Sequence, residues 1–252
     1  MDVIPLFKSH YSIGRSILTL EEEDEGPLHP TSIISIAKKN NLNTLYLVED
    51  NMSSFLEAYT NTKKSNINLR YGLRVTITDN SEEKTEESRA KNSKFIIFFK
   101  NEVGYKDLIK LFSTAAKSGF YYEPRLDFKT LKSVWNNANL LLAVPFYDSF
   151  IFNNVLRNSL CTPDIDFCSP IFFLEDNQMP FDKLIKSKVI EYCEKNGNEI
   201  IDTKSIFYEL KKDFKAYLTF RCINQRTTLN KPEINHMSSD SFCFESWKEK
   251  NG

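Results

Sequence analysis

The chain has few side chains that could do chemistry. There are three histidines, at positions 10, 29 and 236, none within helix-turn reach of another. The five cysteines (Cys161, Cys168, Cys193, Cys222, Cys243) are widely spaced and include no CxxC pair. That spacing argues against a zinc ribbon, and the odd number in a chain of this size argues against a disulfide framework. They read as reduced thiols of a cytoplasmic protein. Neither the cysteines nor His236 has a partner pattern, and no role is assigned to them. Lys211-Lys212-Asp213-Phe214-Lys215 could touch a phosphate backbone, but with an aspartate in its middle it reads as a solvated helix face. Phe120-Tyr121-Tyr122 could stack on bases, yet core packing is the preferred reading. Asp50, followed by Asn51-Met52-Ser53-Ser54, reads as a helix start.

The elements that position these residues alternate between strand and helix. Ile4 to Tyr11 suits a first strand. Pro30-Thr31-Ser32 caps a helix whose Ile33, Ile36 and Ala37 recur at helical spacing. Leu45-Tyr46-Leu47-Val48 is a buried-strand run, Phe55 to Tyr59 opens a second helix, and Asn68 to Ile77 alternates as a third strand. Residues 79–94 lack apolar periodicity and are expected to form an exposed hairpin tip or insertion. Phe95 to Phe99 is the next strand. Leu108, Leu111, Phe112, Ala115 and Ala116 line one helix face, Leu140–Val144 and Pro170–Leu174 are further strands, and a helix from Leu184 stops near Asn196-Gly197. This alternation predicts an α/β fold with much parallel pairing, in one domain spanning residues 1–252.

Composition narrows the function classes. In 252 residues, 41% are hydrophobic and 27% charged, an ordinary globular balance. Seven glycines are too few for glycine-rich phosphate loops or flexible linkers. Thirty-three basic against 34 acidic residues imply no overall attraction to nucleic acid or membrane. The start of the chain lacks the basic and apolar regions of a secretory signal, and its apolar runs are strand-sized, so no membrane association is expected. A bias toward Lys, Asn, Ile and Phe suggests an AT-rich genome, bacterial or phage.

Several segments together resemble the polymerase-and-histidinol-phosphatase (PHP) domain at the N-terminus of the bacterial replicative DNA polymerase III α subunit. Phe7-Lys8-Ser9-His10-Tyr11-Ser12 is similar to that family's first strand and turn, Tyr46 to Met52 to its second, and Tyr71-Gly72-Leu73-Arg74-Val75 to its third. The most specific stretches are Asn101-Glu102-Val103-Gly104-Tyr105-Lys106-Asp107-Leu108 and Gly119-Phe120-Tyr121-Tyr122-Glu123-Pro124-Arg125-Leu126-Asp127, a helix apart and in the family's order. Asp240 to Ser246 resembles the segment that ends the family's PHP region, whereas residues 145 to 200 match only in their strand-helix pattern.

The resemblance implies a distorted (β/α)7 PHP-type barrel, with metal ions at the C-terminal ends of its strands held by His, Asp, Glu and sometimes Cys. Such ions activate water and clamp a phosphate. The family's ligand positions, however, fall on Leu6, Lys8, Glu49-Asp50, Arg74, near Phe146, and on Lys204 and Ile206. Apolar side chains bind no metal, and Lys and Arg bring positive charge where cations would sit. The expectation is a degenerate metal site with no cofactor. His10, Glu49 and Asp50 remain as a relict cluster at the barrel mouth, able at most to take a single divalent metal, and the preferred reading of His10 is a hydrogen-bonded loop histidine. Lys8 and Arg74 either hold an anion or, as preferred, replace metal by pairing with Glu49 and Asp50.

The functional expectation is a non-catalytic PHP-like module in DNA replication. Its partners would be replicative polymerase or proofreading exonuclease subunits, with DNA reached through the assembly, in the cytoplasm of a bacterial or phage-infected cell. The alternative is a metal-dependent phosphoesterase or 3′–5′ exonuclease with an atypical site. A nucleic-acid binder without catalysis is a third, weaker possibility. Polymerisation by this chain alone is not expected, because it contains no palm-domain sequence.

Overall fold

The computed structural model describes residues 3–24, 26, 29–230 and 237–251. His236 and part of the charged loop at 21–27 lie outside the described residues. The fold is α/β, as expected. Its elements fall into two compact units: the described residues of Met1–Tyr71, Glu175–Asp182 and Asp202–Gly252, and those of Gly72–Leu174 and Lys183–Ile201.

The first unit is built on three strands. β1 (Ile4–Phe7) pairs in parallel with β2 (Thr44–Glu49), Leu6 opposite Tyr46 and Phe7 opposite Leu47. On its other side β1 pairs in parallel with the end of a late strand over Glu199–Ile206, Pro5 opposite Lys204 and Phe7 opposite Ile206. Between β1 and β2 runs α1 (Ile33–Lys39), capped as the sequence predicts: Ser32 Oγ accepts from the Ile34 and Ser35 amides. After β2, α2 (Phe55–Lys64) follows. The expected strand to Tyr11 ends four residues early, because Ser9 to Leu18 turns back on itself; the His10 amide donates to the Leu18 carbonyl at 2.8 Å. Stacked rings, Phe7 on Phe244 and Phe207 on Phe242 and Tyr217, fill the core.

The second unit carries most of β3 (Asn68–Thr78). β3 pairs antiparallel with β4 (Ser93–Phe99), and the hairpin tip expected at 79–94 connects them, with a short helix, α3 (Glu86–Ala90), inside it. α4 (Glu102–Lys117) starts on an Asn101 cap and buries Leu108, Leu111 and Ala115. Gly104 lets this helix approach the 139 carbonyl, which a Cβ would meet at 2.2 Å. β5 (Arg125–Asp127) runs parallel to β3, α5 (Phe128–Val134) follows, and β6 (Leu140–Val144) pairs antiparallel with β4 and parallel with β7 (Ile171–Leu174). α6 (Phe150–Leu156) lies between β6 and β7, and α7 (Asp182–Asn196) ends where Asn196-Gly197 predicts, with Gly197 at φ +68°. β8 (Glu199–Ile206) begins in this unit; α8 (Phe214–Gln225) and α9 (Phe244–Asn251) complete the first.

The 79–94 connection is more firmly held than its composition suggests. The fully buried Arg125 guanidinium donates to the Ser81 and Glu83 carbonyls, to Ser88 Oγ and to the Gly119 carbonyl. One expectation needs correcting here. Phe120 and Tyr122 are not core residues: they are 49% and 66% exposed, and Tyr122 sits at φ +61° with Arg89 over its ring. The segment turns outward because Arg125, not the aromatics, takes the interior position. All five cysteines are free thiols.

Candidate functional site

The ends of β1 and β2 bring together Lys8, Ser9, Ser12, Glu49 and Asp50, all in the first unit. Lys8 extends the strand ladder, its amide donating to the Ile206 carbonyl at 3.2 Å. Its ammonium lies 2.9 Å from Asp50 Oδ1, and Arg15 Nε stands 3.9 Å from Asp50 Oδ2. Glu49 is fully buried, with Oε1 accepting from the Ser9 amide at 2.9 Å and Oε2 from the Ser12 hydroxyl. The same hydroxyl accepts from the Asp50 amide at 2.9 Å, so one serine oxygen joins both acidic residues. Burial pushes the Glu49 carboxyl above its ordinary range, opposed by the Lys8 charge and by the Ser12 and Ser9 bonds.

His10 stands apart from this network. Its Nδ1 is 3.3 Å from the Leu18 carbonyl and its ring lies on Tyr11, 4.5 Å between centroids; it bonds to neither Glu49 nor Asp50. Asp50 does not start a helix, which corrects the sequence reading. Ser54 is the residue before α2, and an Asx turn from Asn51 Oδ1 to the Ser53 amide fills the gap. The Asp50 carboxylate is drawn to Lys8 instead. Within its own unit, Arg74 pairs with Asp148 at 2.7 Å and donates to the Tyr147 carbonyl.

A second polar centre of the first unit escaped the sequence reading. Glu175, at the exit of β7, accepts from the Ser205 amide and hydroxyl, both at 2.8 Å, and from Asn177 Nδ2 at 2.7 Å. Asn177 Oδ1 accepts from Lys204 Nζ at 2.7 Å. All three are buried. Burial lowers the Lys204 ammonium to about 8 and raises the Glu175 carboxyl. Only Lys204 carried a sequence signal, as a position where the PHP resemblance expects a ligand.

Leu6, Phe146 and Ile206, at other such positions, are buried apolar side chains. Among the described residues no group of three or more His, Cys, Asp or Glu side chains is placed to hold a metal ion. The site, as arranged, satisfies carboxylates with hydroxyl, amide and ammonium donors.

A model of the PHP domain matches residues 23–150, half of the chain. The chain belongs to the PHP domain family. Its α/β architecture is the PHP type that the sequence resemblance implied. This PHP domain is similar to DNA polymerase III subunit alpha of Borreliella burgdorferi, 33% identical over 236 residues that cover 89% of the chain and 20% of that protein. The corresponding protein of Helicobacter pylori is 27% identical over 218 residues (79% and 18%), and that of Thermus aquaticus 27% over 159 (60% and 13%). The chain thus spans a fifth or less of the length of these relatives. Among its described residues no helix is long and apolar enough to cross a membrane.

Proposed function

We propose that this PHP domain is a non-catalytic structural and interaction module of a DNA polymerase III alpha-type replication protein, acting in the cytoplasm. The observation that carries the reading is the buried Lys8 ammonium on Asp50, beside a Glu49 carboxylate whose two oxygens are already taken by Ser9 and Ser12. Hydrolysis of a phosphodiester needs activated water and stabilised negative charge, each worth several kcal/mol when metal ions supply them. A divalent cation here would have to displace an ammonium and strip donors from a carboxylate. The donor set does not fit the metal ions of the family, and the site is read as degenerate, with Lys8 in place of a ligand. The partners that suit such a module are replicative polymerase or proofreading exonuclease subunits, with DNA reached through them.

The test is hydrolysis of single-stranded DNA and of a generic phosphomonoester by purified wild type and by a His10→Ala/Asp50→Ala double variant, with and without Mn²⁺. Equal background in both is expected. Metal-dependent turnover in wild type alone would restore the exonuclease or phosphoesterase alternative. Affinity purification from the native source should recover polymerase or exonuclease subunits.

A further inference from the structure

Lys204, Asn177 and Glu175 form a line of opposite charges joined by one amide. Asn177 is fully buried; its Oδ1 accepts from the Lys204 ammonium and its Nδ2 donates to Glu175 Oε2, both at 2.7 Å. The amide dipole therefore points its negative end at the cation and its positive end at the anion, the arrangement in which each hydrogen bond strengthens the other. Three chain segments converge on it. β8 supplies Lys204 and the Ser205 donors to Glu175. The stretch 175–182 closes on itself through Asp182 Oδ2, which accepts from the Asn177 amide at 2.9 Å and the Met179 amide at 3.0 Å. A third segment is latched on by Ser239, whose hydroxyl donates to the Asn177 carbonyl and whose own carbonyl accepts from Tyr208.

We infer that Lys204 is a built-in cation: bridged by Asn177 to Glu175, it holds the 175–182 and 237–241 segments on β8 without any metal. The inference rests on the metal-free reading of the domain. It goes beyond that reading by assigning to one lysine the ordering of loops at a strand end where the family's ligands are expected. A buried ammonium and a buried carboxylate that balance each other are costly to separate, because removal of either leaves the other uncompensated. Their energies must then be strongly non-additive.

The experiment is a double-mutant cycle in the full chain with Lys204→Met, Glu175→Gln and the double variant, read by denaturant unfolding. Each single change is expected to lower the folding equilibrium constant by at least tenfold, and the double variant to lose at least tenfold less than the product of the two. Independent, multiplying effects would overturn the inference. If Lys204→Met does not fold, amide exchange in wild type decides: the Asn177 and Met179 amides should exchange as slowly as Leu6 and Phe7, and exchange at least a hundredfold faster would overturn the clamp. EDTA and Mn²⁺ separate the two proposals. A wild-type midpoint that shifts with either would defeat the metal-free reading, whereas additivity with no metal effect would defeat only the clamp.

Discussion

Lys8 and Asp50 meet at 2.9 Å across the ends of two paired strands, with the lysine side chain 7% and the aspartate 31% exposed. The lysine is therefore committed to a partner that water still reaches, while the neighbouring Glu49 is sealed. This asymmetry sets what mutation should do.

Lys8→Met is expected to cost about 1–3 kcal/mol, less than a fully buried pair would lose, because Asp50 can rehydrate. Asp50→Asn should cost more than Lys8→Met, because it deprives the buried Lys8 ammonium of this counter-charge. Denaturant midpoints at constant m-value check the order; a larger loss in the lysine variant would refute the argument from exposure.

Glu49 gives a pH signature. Its carboxyl is raised in the folded protein, so the folded state binds more protons than the unfolded one above pH 4.5. Stability from this group falls as pH rises through the folded value. Glu49→Gln should accordingly gain on wild type as pH increases from 4.5 toward neutrality, whatever its offset at the acid end. Parallel stability curves for the two proteins would refute the shift.

Lys204 gives the opposite slope. Its folded pKa of about 8 lies below the ordinary 10.5, so the unfolded chain binds more protons between those values and stability rises with pH. Wild type should gain on Lys204→Met between pH 8 and 10.5. Thermal unfolding of both across that window is the measurement.

Whether the two compact units unfold together is testable with the only two tryptophans, Trp135 in the second and Trp247 in the first. The single-domain proposal expects coincident fluorescence midpoints in Trp135→Phe and Trp247→Phe. Separated midpoints would divide the chain into two domains.

Arg125→Met should cost about 3 kcal/mol, since it removes a fully buried guanidinium and leaves the Ser81, Glu83 and Gly119 carbonyls, the last of them buried, without their donor. Limited proteolysis should then cut within 79–94 much faster than in wild type.

Strong apolar patterns made much of this fold legible. α1, β2, α2, β3, β4, α4, β6, β7 and α7 all carry unbroken periodicity or a cap, such as Ser32 or Asn101. β8 did not, because its buried Thr203 and Lys204 are polar and interrupt the apolar run that marks a strand. β5 has three residues, too few for any period, and α5 and α6 are barely two turns. At the site, Lys8, Glu49 and Asp50 were singled out only because the PHP resemblance places the family's ligand positions on them. Ser12 was not, since a hydroxyl that bridges two acids looks like any turn serine. Asp148, Glu175 and Asn177 lie in the stretch where the family resemblance reduces to pattern, and their partners are 74, 30 and 27 residues away.

The grip of Arg125 on the β3–β4 connection is mostly on main-chain oxygens, and that has an evolutionary corollary. A guanidinium that recognises carbonyls specifies a path rather than a sequence. The outward-facing Glu82, Lys84 and Glu87 are thereby released from any duty in holding their own loop, and can drift, change charge or accept a grafted epitope while the route of the chain stays the same. Variation among relatives should concentrate there, and a reporter peptide placed at Lys84 should leave the rest of the molecule undisturbed.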